Sequence, residues 1–259
     1  MSYTTLITGA SSGIGMELAR ISAREGRDLL ITARRENRLI KLKDELEMEY
    51  KVNIHILALD LVKKNSPKKL FNYTQKNSLT IDVLINNAGV GDFGKFHKSN
   101  WEWQETMIDL NMKSLSHLTH LFLPQMVQLN RAYVMNVASN AAFQPGPLMS
   151  VYYATKHYVL AFSEALANEL QDTGVTVTAL CPGPTKSEFQ ETASMQKSKL
   201  VNTVPLPDSK QVAEYGYKAM IKGKRVAVHG FMNKIFSVVV RLLPKRLVTS
   251  IVRKMQAKV

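Results

Sequence analysis

The stretch Thr8-Gly9-Ala10-Ser11-Ser12-Gly13-Ile14-Gly15 joins an apolar run to a segment of helical period, and it decides the fold. Glycines at such a junction let the backbone turn sharply and approach a bound group without Cβ clashes. The N-terminus of the following helix favours negative charge, so the arrangement suits a pyrophosphate. Turns also use glycine, but the position between a strand and a helix supports phosphate binding.

Beyond this loop, short apolar runs alternate with longer segments of helical period, the pattern of repeated βα units. We expect strands over 4–8, 28–32, 54–58, 83–86, 132–137, 175–180 and 225–228. Helices are expected over 14–25, 36–50, 68–76, 101–128, 151–172 and 209–221. The series contains no Pro/Gly/Ser-rich linker. It therefore predicts one doubly wound Rossmann-type α/β domain over residues 1–259, with a mostly parallel seven-stranded sheet flanked by helices.

Composition narrows the class of protein. Apolar residues make up 45% of the 259 residues, which is ordinary for a globular chain. The single cysteine, Cys181, excludes an internal disulfide framework and a cysteine-rich metal site. The first residues contain no basic segment followed by a signal-peptide core, and no apolar run is long enough to span a bilayer. We therefore expect a cytoplasmic protein.

The net charge of +13 is unevenly distributed, because eleven Lys or Arg residues and no acidic residue follow Glu214. Such a tail attracts anionic partners such as lipid head groups, acyl carriers or nucleic acid. No helix-turn-helix, zinc-finger or RNA-binding motif accompanies the charge, so we do not expect nucleic acid as a partner.

Further motifs follow the glycine loop in order, and together they resemble the short-chain dehydrogenase/reductase family over about residues 4–230. They are the Gly-x-x-x-Gly-x-Gly loop, Asn86-Asn87-Ala88-Gly89 after the fourth strand, Ser139 after the fifth, Tyr152-x-x-x-Lys156, and Pro182-Gly183 after the sixth. The resemblance implies a nicotinamide dinucleotide cofactor and reversible reduction of a ketone or aldehyde to an alcohol.

Tyr152 and Lys156 are the expected centre of the chemistry. Residues four apart share a helix face, so both side chains can point into one pocket. A lysine ammonium nearby would lower the pKa of the tyrosine hydroxyl, which we expect to donate the proton that the developing alkoxide needs. Tyr153 is excluded because His157, not lysine, follows it at this spacing. Ser139 would hydrogen-bond the substrate oxygen, and by resemblance Asn111 completes the catalytic set by supporting a water near Lys156.

The end of the second strand favours NADPH over NADH. Enzymes that use NAD commonly place a carboxylate here to bind the ribose hydroxyls, but this chain reads Thr32-Ala33-Arg34-Arg35. An arginine can pair with a 2′-phosphate, and the resemblance assigns this role to Arg34. The alternative is that both arginines belong to a solvated helix start.

The resemblance also implies the remaining cofactor-binding residues, in addition to Tyr152 and Lys156. Asp60 would bind the adenine, although it is also a good helix cap, and Thr185 would contact the nicotinamide. The full set comprises Gly9, Ser11, Ser12, Gly13, Ile14, Gly15, Arg34, Asp60, Leu61, Asn87, Ala88, Gly89, Pro182, Gly183 and Thr185. We expect no metal: His97, His117, His120 and His157 have no acidic or cysteine partner at ligand spacing.

Two segments fit the βα series poorly. The stretch 185–207 is either a flap over the site or a surface connection. Residues 231–259 form a basic C-terminal extension in which Leu247, Val248, Ile251, Val252 and Met255 repeat at helical spacing. This amphipathic helix would lie on an anionic membrane surface, or pack on its own domain or a sister subunit.

The sequence thus predicts an NADPH-dependent carbonyl reductase in a homodimer or homotetramer. Steroid-like, acyl-chain and small-aldehyde carbonyls all suit its catalytic residues, and the methionine-containing 185–207 segment and the basic tail favour a lipid-like or acyl substrate. The main alternative is a non-catalytic NADP-binding sensor or interaction protein on the same fold.

Overall fold

Seven strands form one parallel sheet in the order β3-β2-β1-β4-β5-β6-β7. The strands are β1 (Tyr3–Thr8), β2 (Asp28–Ala33), β3 (Ile54–Ala58), β4 (Thr80–Asn86), β5 (Ala132–Val137), β6 (Val175–Cys181) and β7 (Val226–Val228). The structure is a computed structural model, and it describes residues 3–193, 195 and 206–257. The predicted doubly wound fold and all seven predicted strands are confirmed, with ends that shift by three residues or fewer.

Alternating side chains of the strands bury two separate cores. On β2, Leu29 and Ile31 pack in one cluster with residues of the first and second helices, whereas Leu30 faces the opposite cluster. Because both faces of the sheet are covered, most strand residues are buried, including polar ones such as Thr5, Asp82 and Asn136. The strand order reverses between β1 and β4, and ligands of such sheets bind beyond the carboxyl ends of the strands at that point.

The helices follow the strands in the expected series. They are α1 (Gly13–Arg24), α2 (Glu36–Tyr50), α3 (Ser66–Lys76), α4 (Trp101–Ile108), α5 (Leu115–Met126), α6 (Ser150–Glu169), α7 (Phe189–Thr192), α8 (Ser209–Ile221), α9 (Phe231–Leu242) and α10 (Lys245–Gln256). Short 3₁₀ turns lie at Phe96–Lys98 and Asn140–Phe143.

The predicted helical stretch over 101–128 is helical from 101 to 126, but it is not one uniform α-helix. A π-helical segment, Asp109–Ser114, separates α4 from α5. It contains the buried Asn111, whose side chain hydrogen-bonds both backbone groups of Val90. Wide turns of this kind often lie at functional sites, and helical periodicity alone does not reveal them.

The segment 185–207 is only partly described. Lys186 pairs with Asp208 in an isolated parallel bridge, and α7 follows directly. Residues 194 and 196–205, almost half of the predicted flap, lie outside the described part of the chain.

The C-terminal extension forms two helices, α9 and α10, separated at Pro244. Val240, Val248 and Val252 are buried in a cluster that also contains Tyr152 and Tyr153. The predicted apolar face of α10 is therefore divided, because Leu247, Ile251 and Met255 remain exposed. Within the described ranges, no helix is both long enough and apolar enough to cross a bilayer.

Candidate active site

The glycine loop passes close to the end of β4. Gly9 and Gly13 have φ values of +68° and +56°, which side chains with a Cβ rarely adopt. A Cβ at Gly9 would lie 2.9 Å from the Cα of Ala88. The loop therefore needs glycine, and it leads into the N-terminus of α1, where backbone N–H groups favour an anion.

Gly15 has a different place from the other loop residues, since it does not line the cleft. A Cβ on Gly15 would lie 2.3 Å from Asn87 Nδ2 and 2.4 Å from the Gly9 oxygen. Asn87 Nδ2 donates to the carbonyl oxygens of Thr8 (2.9 Å) and Gly9 (3.2 Å). Gly15 thus makes room for the amide that holds the loop from behind.

Thr8 has a role that the sequence analysis did not assign. Its hydroxyl oxygen accepts hydrogen bonds from the backbone N–H groups of Asn87 and Ala88, each at 3.0 Å. The last residue of β1 therefore fixes the turn after β4. The sequence feature that could have indicated this role is a small hydroxyl residue, Thr8, immediately before the first glycine of the loop.

One cleft along the carboxyl edge of the sheet is lined by most of the predicted site residues. Asn111 and Gly15 are the exceptions. The predicted residues that line it are Gly9, Ser11, Ser12, Gly13, Ile14, Arg34, Asp60, Leu61, Asn87, Ala88, Gly89, Ser139, Tyr152, Lys156, Pro182, Gly183 and Thr185. Asp60 also accepts a hydrogen bond from the N–H of Val62 at 3.2 Å, so it caps the turn as well as facing the cleft.

A basic cluster closes one end of the cleft, and Arg35 is its best-connected member. Arg35 Nη2 donates to the hydroxyls of Ser11 (3.0 Å) and Ser12 (2.9 Å), and Nη1 donates to the Glu188 carboxylate (2.7 Å). Arg38 pairs with the other oxygen of Glu188. These two arginines hold the pKa of Glu188 at about 2. Arg34, the predicted phosphate partner, also lines the cleft, but the described hydrogen bonds at this end come from Arg35 and Arg38.

Tyr152, Lys156 and Ser139 meet at the centre of the cleft. Tyr152 and Lys156 lie one turn apart on α6, with Lys156 Nζ 5.8 Å from the centre of the Tyr152 ring. Lys156 Nζ donates to the Val137 carbonyl at 2.8 Å. Ser139 follows β5, and its hydroxyl oxygen accepts a hydrogen bond from Ala141 N–H at 3.1 Å. All three side chains are nearly buried.

The pKa of Tyr152 moves in the opposite direction from the sequence prediction. Burial raises it to about 12, and the neighbouring Ser139 hydroxyl only partly opposes this effect. The Lys156 ammonium donates its hydrogen bond to the Val137 carbonyl, and burial dominates the pKa of the phenol. Tyr152 is therefore protonated at neutral pH, the state that a proton donor requires.

Lys156 shows the complementary effect. Burial lowers its pKa to about 8, although the nearby Cys181 thiol favours the charged form. Desolvation disfavours whichever form carries charge, which is why the same environment raises one pKa and lowers the other. Lys156 is thus mainly an ammonium at pH 7 and becomes neutral at moderately alkaline pH.

Asn111 lies beneath the site, not on the cleft surface. Its Oδ1 accepts from Val90 N–H (3.0 Å), and its Nδ2 donates to Val90 O (2.9 Å) and Thr155 Oγ1 (3.1 Å). A Cβ on Gly89 would lie 3.2 Å from Asn111 Oδ1 and 3.5 Å from Lys156 Nζ. Asn111 therefore positions the Gly89–Val90 backbone beside Lys156.

The end of the cleft around Tyr152 is apolar and aromatic. The Phe189 ring centre lies 5.4 Å from that of Tyr152, and Trp103 Nε1 donates to Gly91 O at 3.1 Å. Met149, Tyr153 and Met195 also line this end. The Tyr153 hydroxyl accepts a hydrogen bond from the buried Gln256 of α10, so the C-terminal helix supports the wall of the cleft.

These residues fit a nicotinamide dinucleotide. Glycines with positive φ and a helix N-terminus offer a phosphate cradle, and the basic cluster lies beside it. Two hydroxyls, Ser11 and Ser12, are held by Arg35 at the same end. In the described ranges, no group of three His, Cys, Asp or Glu side chains could hold a metal ion.

Comparisons with known proteins agree with this geometry. The family model for short chain dehydrogenase matches residues 3–198. The NADP-dependent 3-hydroxy acid dehydrogenase YdfG of Escherichia coli (strain K12) is 37% identical over 179 residues, 69% of this chain and 71% of that protein. Sulfoacetaldehyde reductase 2 of Chromohalobacter salexigens is 35% identical over 199 residues, 73% of this chain and 75% of that protein.

Solved structures extend the similarity into the C-terminal helices. A short-chain dehydrogenase from Sphingobium yanoikuyae in complex with NADPH is 30% identical, with a TM-score of 0.83 and 98% of both chains covered. The bulky-bulky ketone specific alcohol dehydrogenase from Comamonas testosteroni is 28% identical, with a TM-score of 0.79 over 98% of this chain and 96% of that chain. On its motifs, its fold and these matches, the chain belongs to the short-chain dehydrogenase/reductase family.

Proposed function

We propose that the protein is an NADP-dependent oxidoreductase that interconverts a carbonyl group and an alcohol on a substrate with an apolar body. The observation that carries the proposal is the protonated, buried Tyr152 beside Lys156 and Ser139, in a cleft with a basic end and an apolar end. Relatives whose names include NADP or NADPH support the choice of cofactor.

The chain's own residues have distinct parts in this reaction. When bound, the nicotinamide cofactor supplies or accepts the hydride at the substrate carbon. Tyr152 Oη donates a proton to the carbonyl oxygen as negative charge develops there, and the reverse transfer accompanies alcohol oxidation. The Ser139 hydroxyl orients the same oxygen. Lys156, as an ammonium, stabilises the tyrosinate that remains and binds the nicotinamide ribose.

The basic end of the cleft would hold the 2′-phosphate. Arg35 donates to Ser11 and Ser12, Arg38 shares the Glu188 carboxylate with it, and Arg34 lines the cleft. No carboxylate precedes Glu36 at the end of β2. Guanidinium groups bind phosphate through paired, charge-assisted hydrogen bonds.

The apolar end favours a bulky, uncharged substrate over a small acid. Two relatives are named for acidic substrates: a 3-hydroxy acid in one case and sulfoacetaldehyde in the other. Among the described residues that line this cleft, the cations are Arg34 and Arg35 at the far end and Lys156 at the reaction centre. Within the described lining, a substrate carboxylate or sulfonate would meet only these three cations, whereas an alkyl chain or ring system would be desolvated against Trp103, Phe189 and Met149. The bulky-ketone enzyme among the similar structures supports this choice.

The test is NADPH oxidation by purified protein with cyclic and long-chain ketones, aldehydes, acyl thioesters and 3-oxo acids. Tyr152→Phe should lower turnover by about 10²- to 10⁴-fold, the usual contribution of a general acid, and leave NADPH affinity nearly unchanged. Tyr158→Phe removes a hydroxyl from the same helix, where it bonds Ser116, and is the matched control.

Unchanged turnover in Tyr152→Phe would contradict the assignment of the proton donor. Tight NADPH binding without turnover on any carbonyl would favour the sensor alternative. A preference for 3-oxo acids over neutral ketones would contradict the proposed substrate class.

A further inference from the structure

The most prominent feature outside the cleft is an exposed apolar stripe on α9. The spacing of its six members repeats along one side of the helix, and their side chains are 40–79% exposed. They are Phe231, Met232, Ile235, Val238, Val239 and Leu242. The next helix adds a second stripe, Leu247, Ile251 and Met255. Clustered apolar surface of this kind marks an interaction site, whereas single exposed apolar residues do not.

Both stripes face away from the domain. Val240 on α9 and Val248 and Val252 on α10 are buried in the same cluster, so each helix exposes its other side. Polar contacts fix α9 in this orientation: Asn233 Nδ2 donates to His229 O (2.8 Å), and Asn233 Oδ1 accepts from Asn140 Nδ2 (3.2 Å). The apolar surface is therefore presented by anchored helices.

The charge around these stripes is of one sign. Six exposed cations lie on the two helices: Lys234, Arg241, Lys245, Arg246, Arg253 and Lys254. No acidic residue follows Glu214 anywhere in the sequence. A second copy placed face to face about a two-fold axis would bring cations against cations with no carboxylate from this region to pair them. Lys234 and Arg241 lie over the rings of Tyr215 and Phe143, and an anionic surface would attract the other four.

We propose that the exposed faces of α9 and α10 dock on an anionic lipid surface. The apolar stripes would enter the boundary between head groups and acyl chains, and the flanking Lys and Arg side chains would contact lipid phosphates. Neither helix spans the bilayer, so binding is peripheral and reversible. This proposal stands on the surface alone and holds whatever the substrate of the cleft is.

The test is co-sedimentation of the full chain with vesicles of phosphatidylcholine containing one third phosphatidylglycerol, and with vesicles of phosphatidylcholine alone. We expect binding to the anionic vesicles, weaker binding at high salt, and little binding to the neutral vesicles. Phe231→Ser/Leu242→Ser should reduce the affinity for vesicles by about tenfold or more. In the wild type both apolar side chains leave water on binding, and the double variant loses this contribution.

Two matched controls separate this face from the general basicity of the protein. Arg246→Gln/Arg253→Gln should weaken binding and its salt dependence, whereas Lys63→Gln/Lys64→Gln removes the same charge elsewhere and should have little effect. Met48→Ser removes one exposed apolar side chain from α2 and should bind as the wild type does. Circular dichroism and NADPH affinity verify the fold of each variant, and the charge variants test the proposal even if the apolar double variant does not fold.

Binding that is absent, equal on neutral vesicles, or equally weakened by both pairs of charge substitutions would overturn the proposal. Sedimentation velocity without lipid measures the oligomeric state of the wild type and of the double variant. An oligomer that dissociates in Phe231→Ser/Leu242→Ser would assign the face to a second copy of the chain and overturn lipid docking.

Discussion

Lys156 is a buried cation whose charge state is sensitive to moderately alkaline pH. Its pKa is about 8, lowered by burial from an ordinary 10.5. We expect the reductase rate to fall as pH rises through about 8, because the neutral amine no longer stabilises the tyrosinate. The pH–rate profile of the wild type measures this. A rate that is constant up to pH 10 would show that the ammonium is not required.

The lowered pKa of Lys156 also makes the free energy of unfolding depend on pH. Between about pH 8 and 10.5 the unfolded lysine holds a proton that the folded one has lost, so stability contributed by this position rises with pH. Relative to Lys156→Met, the wild type should therefore gain free energy of unfolding over this window, by up to about 3 kcal/mol. Urea unfolding of both proteins at the two ends of the window measures the difference, and a relative loss would contradict it.

Glu188 belongs to the cofactor end of the cleft, where its carboxylate binds the Arg35 and Arg38 guanidinium groups. A 2′-phosphate would compete for the same donors. Glu188→Gln should therefore tighten NADPH binding by about twofold to tenfold, the range for half-exposed ion pairs, and leave NADH binding unchanged. Fluorescence titration measures both affinities.

Glu191→Gln is the matched control, since it removes an exposed carboxylate from α7, the short helix that begins immediately after Glu188. If Glu188→Gln weakened NADPH binding, Glu188 would instead hold the arginines in place for the phosphate.

At the scale of the element, the π-helical segment Asp109–Ser114 directs Asn111 toward Val90 and Thr155. Asn111→Ala would leave the buried backbone groups of Val90 without this partner. We expect a loss of about 2–4 kcal/mol in the free energy of unfolding, together with slower turnover, because the Gly89–Val90 backbone beside Lys156 would no longer be held.

Chemical unfolding and steady-state kinetics test this expectation. Asn37→Ala, at an exposed position near the start of α2, is a suitable control and should alter neither quantity. An Asn111→Ala protein with wild-type stability would show that the hydrogen bonds to Val90 contribute little.

For the whole molecule, NADPH should increase the free energy of unfolding, because it binds the folded protein along the cleft and not the unfolded chain. NADPH at a hundredfold excess over its Kd should add about 2.7 kcal/mol to the free energy of unfolding. For a domain of this size that corresponds to a Tm increase of roughly 5–10 °C. NADH at the same concentration should raise Tm less, because it lacks the 2′-phosphate; equal shifts in thermal melts would contradict the role of the basic cluster.

A homodimer or homotetramer stays a prediction, since the structure describes one chain. The cytoplasmic location also stays a prediction.

The alternation of apolar runs with helical segments was sufficient to predict the seven strands and the doubly wound sheet, because strands that are covered on both faces are short and mostly apolar. The glycine loop, Tyr152 and Lys156 were predictable because their spacing is local: a turn needs glycine, and residues four apart share a helix face. Family membership and the choice of NADP followed from such local motifs, and the comparisons agree with both.

Tertiary structure alone decided how distant segments meet. It brought Glu188 onto Arg35 across 153 positions of sequence and Gln256 onto Tyr153 across 103. It also reversed the expected pKa shift of Tyr152, because desolvation depends on everything packed around the phenol and not on the lysine one turn away. Periodicity marked α10 as amphipathic, but only packing showed that Val248 and Val252 are buried while Leu247 and Ile251 face outward. Local sequence specifies backbone conformation and periodicity, whereas burial and long-range contacts exist only once the chain has folded.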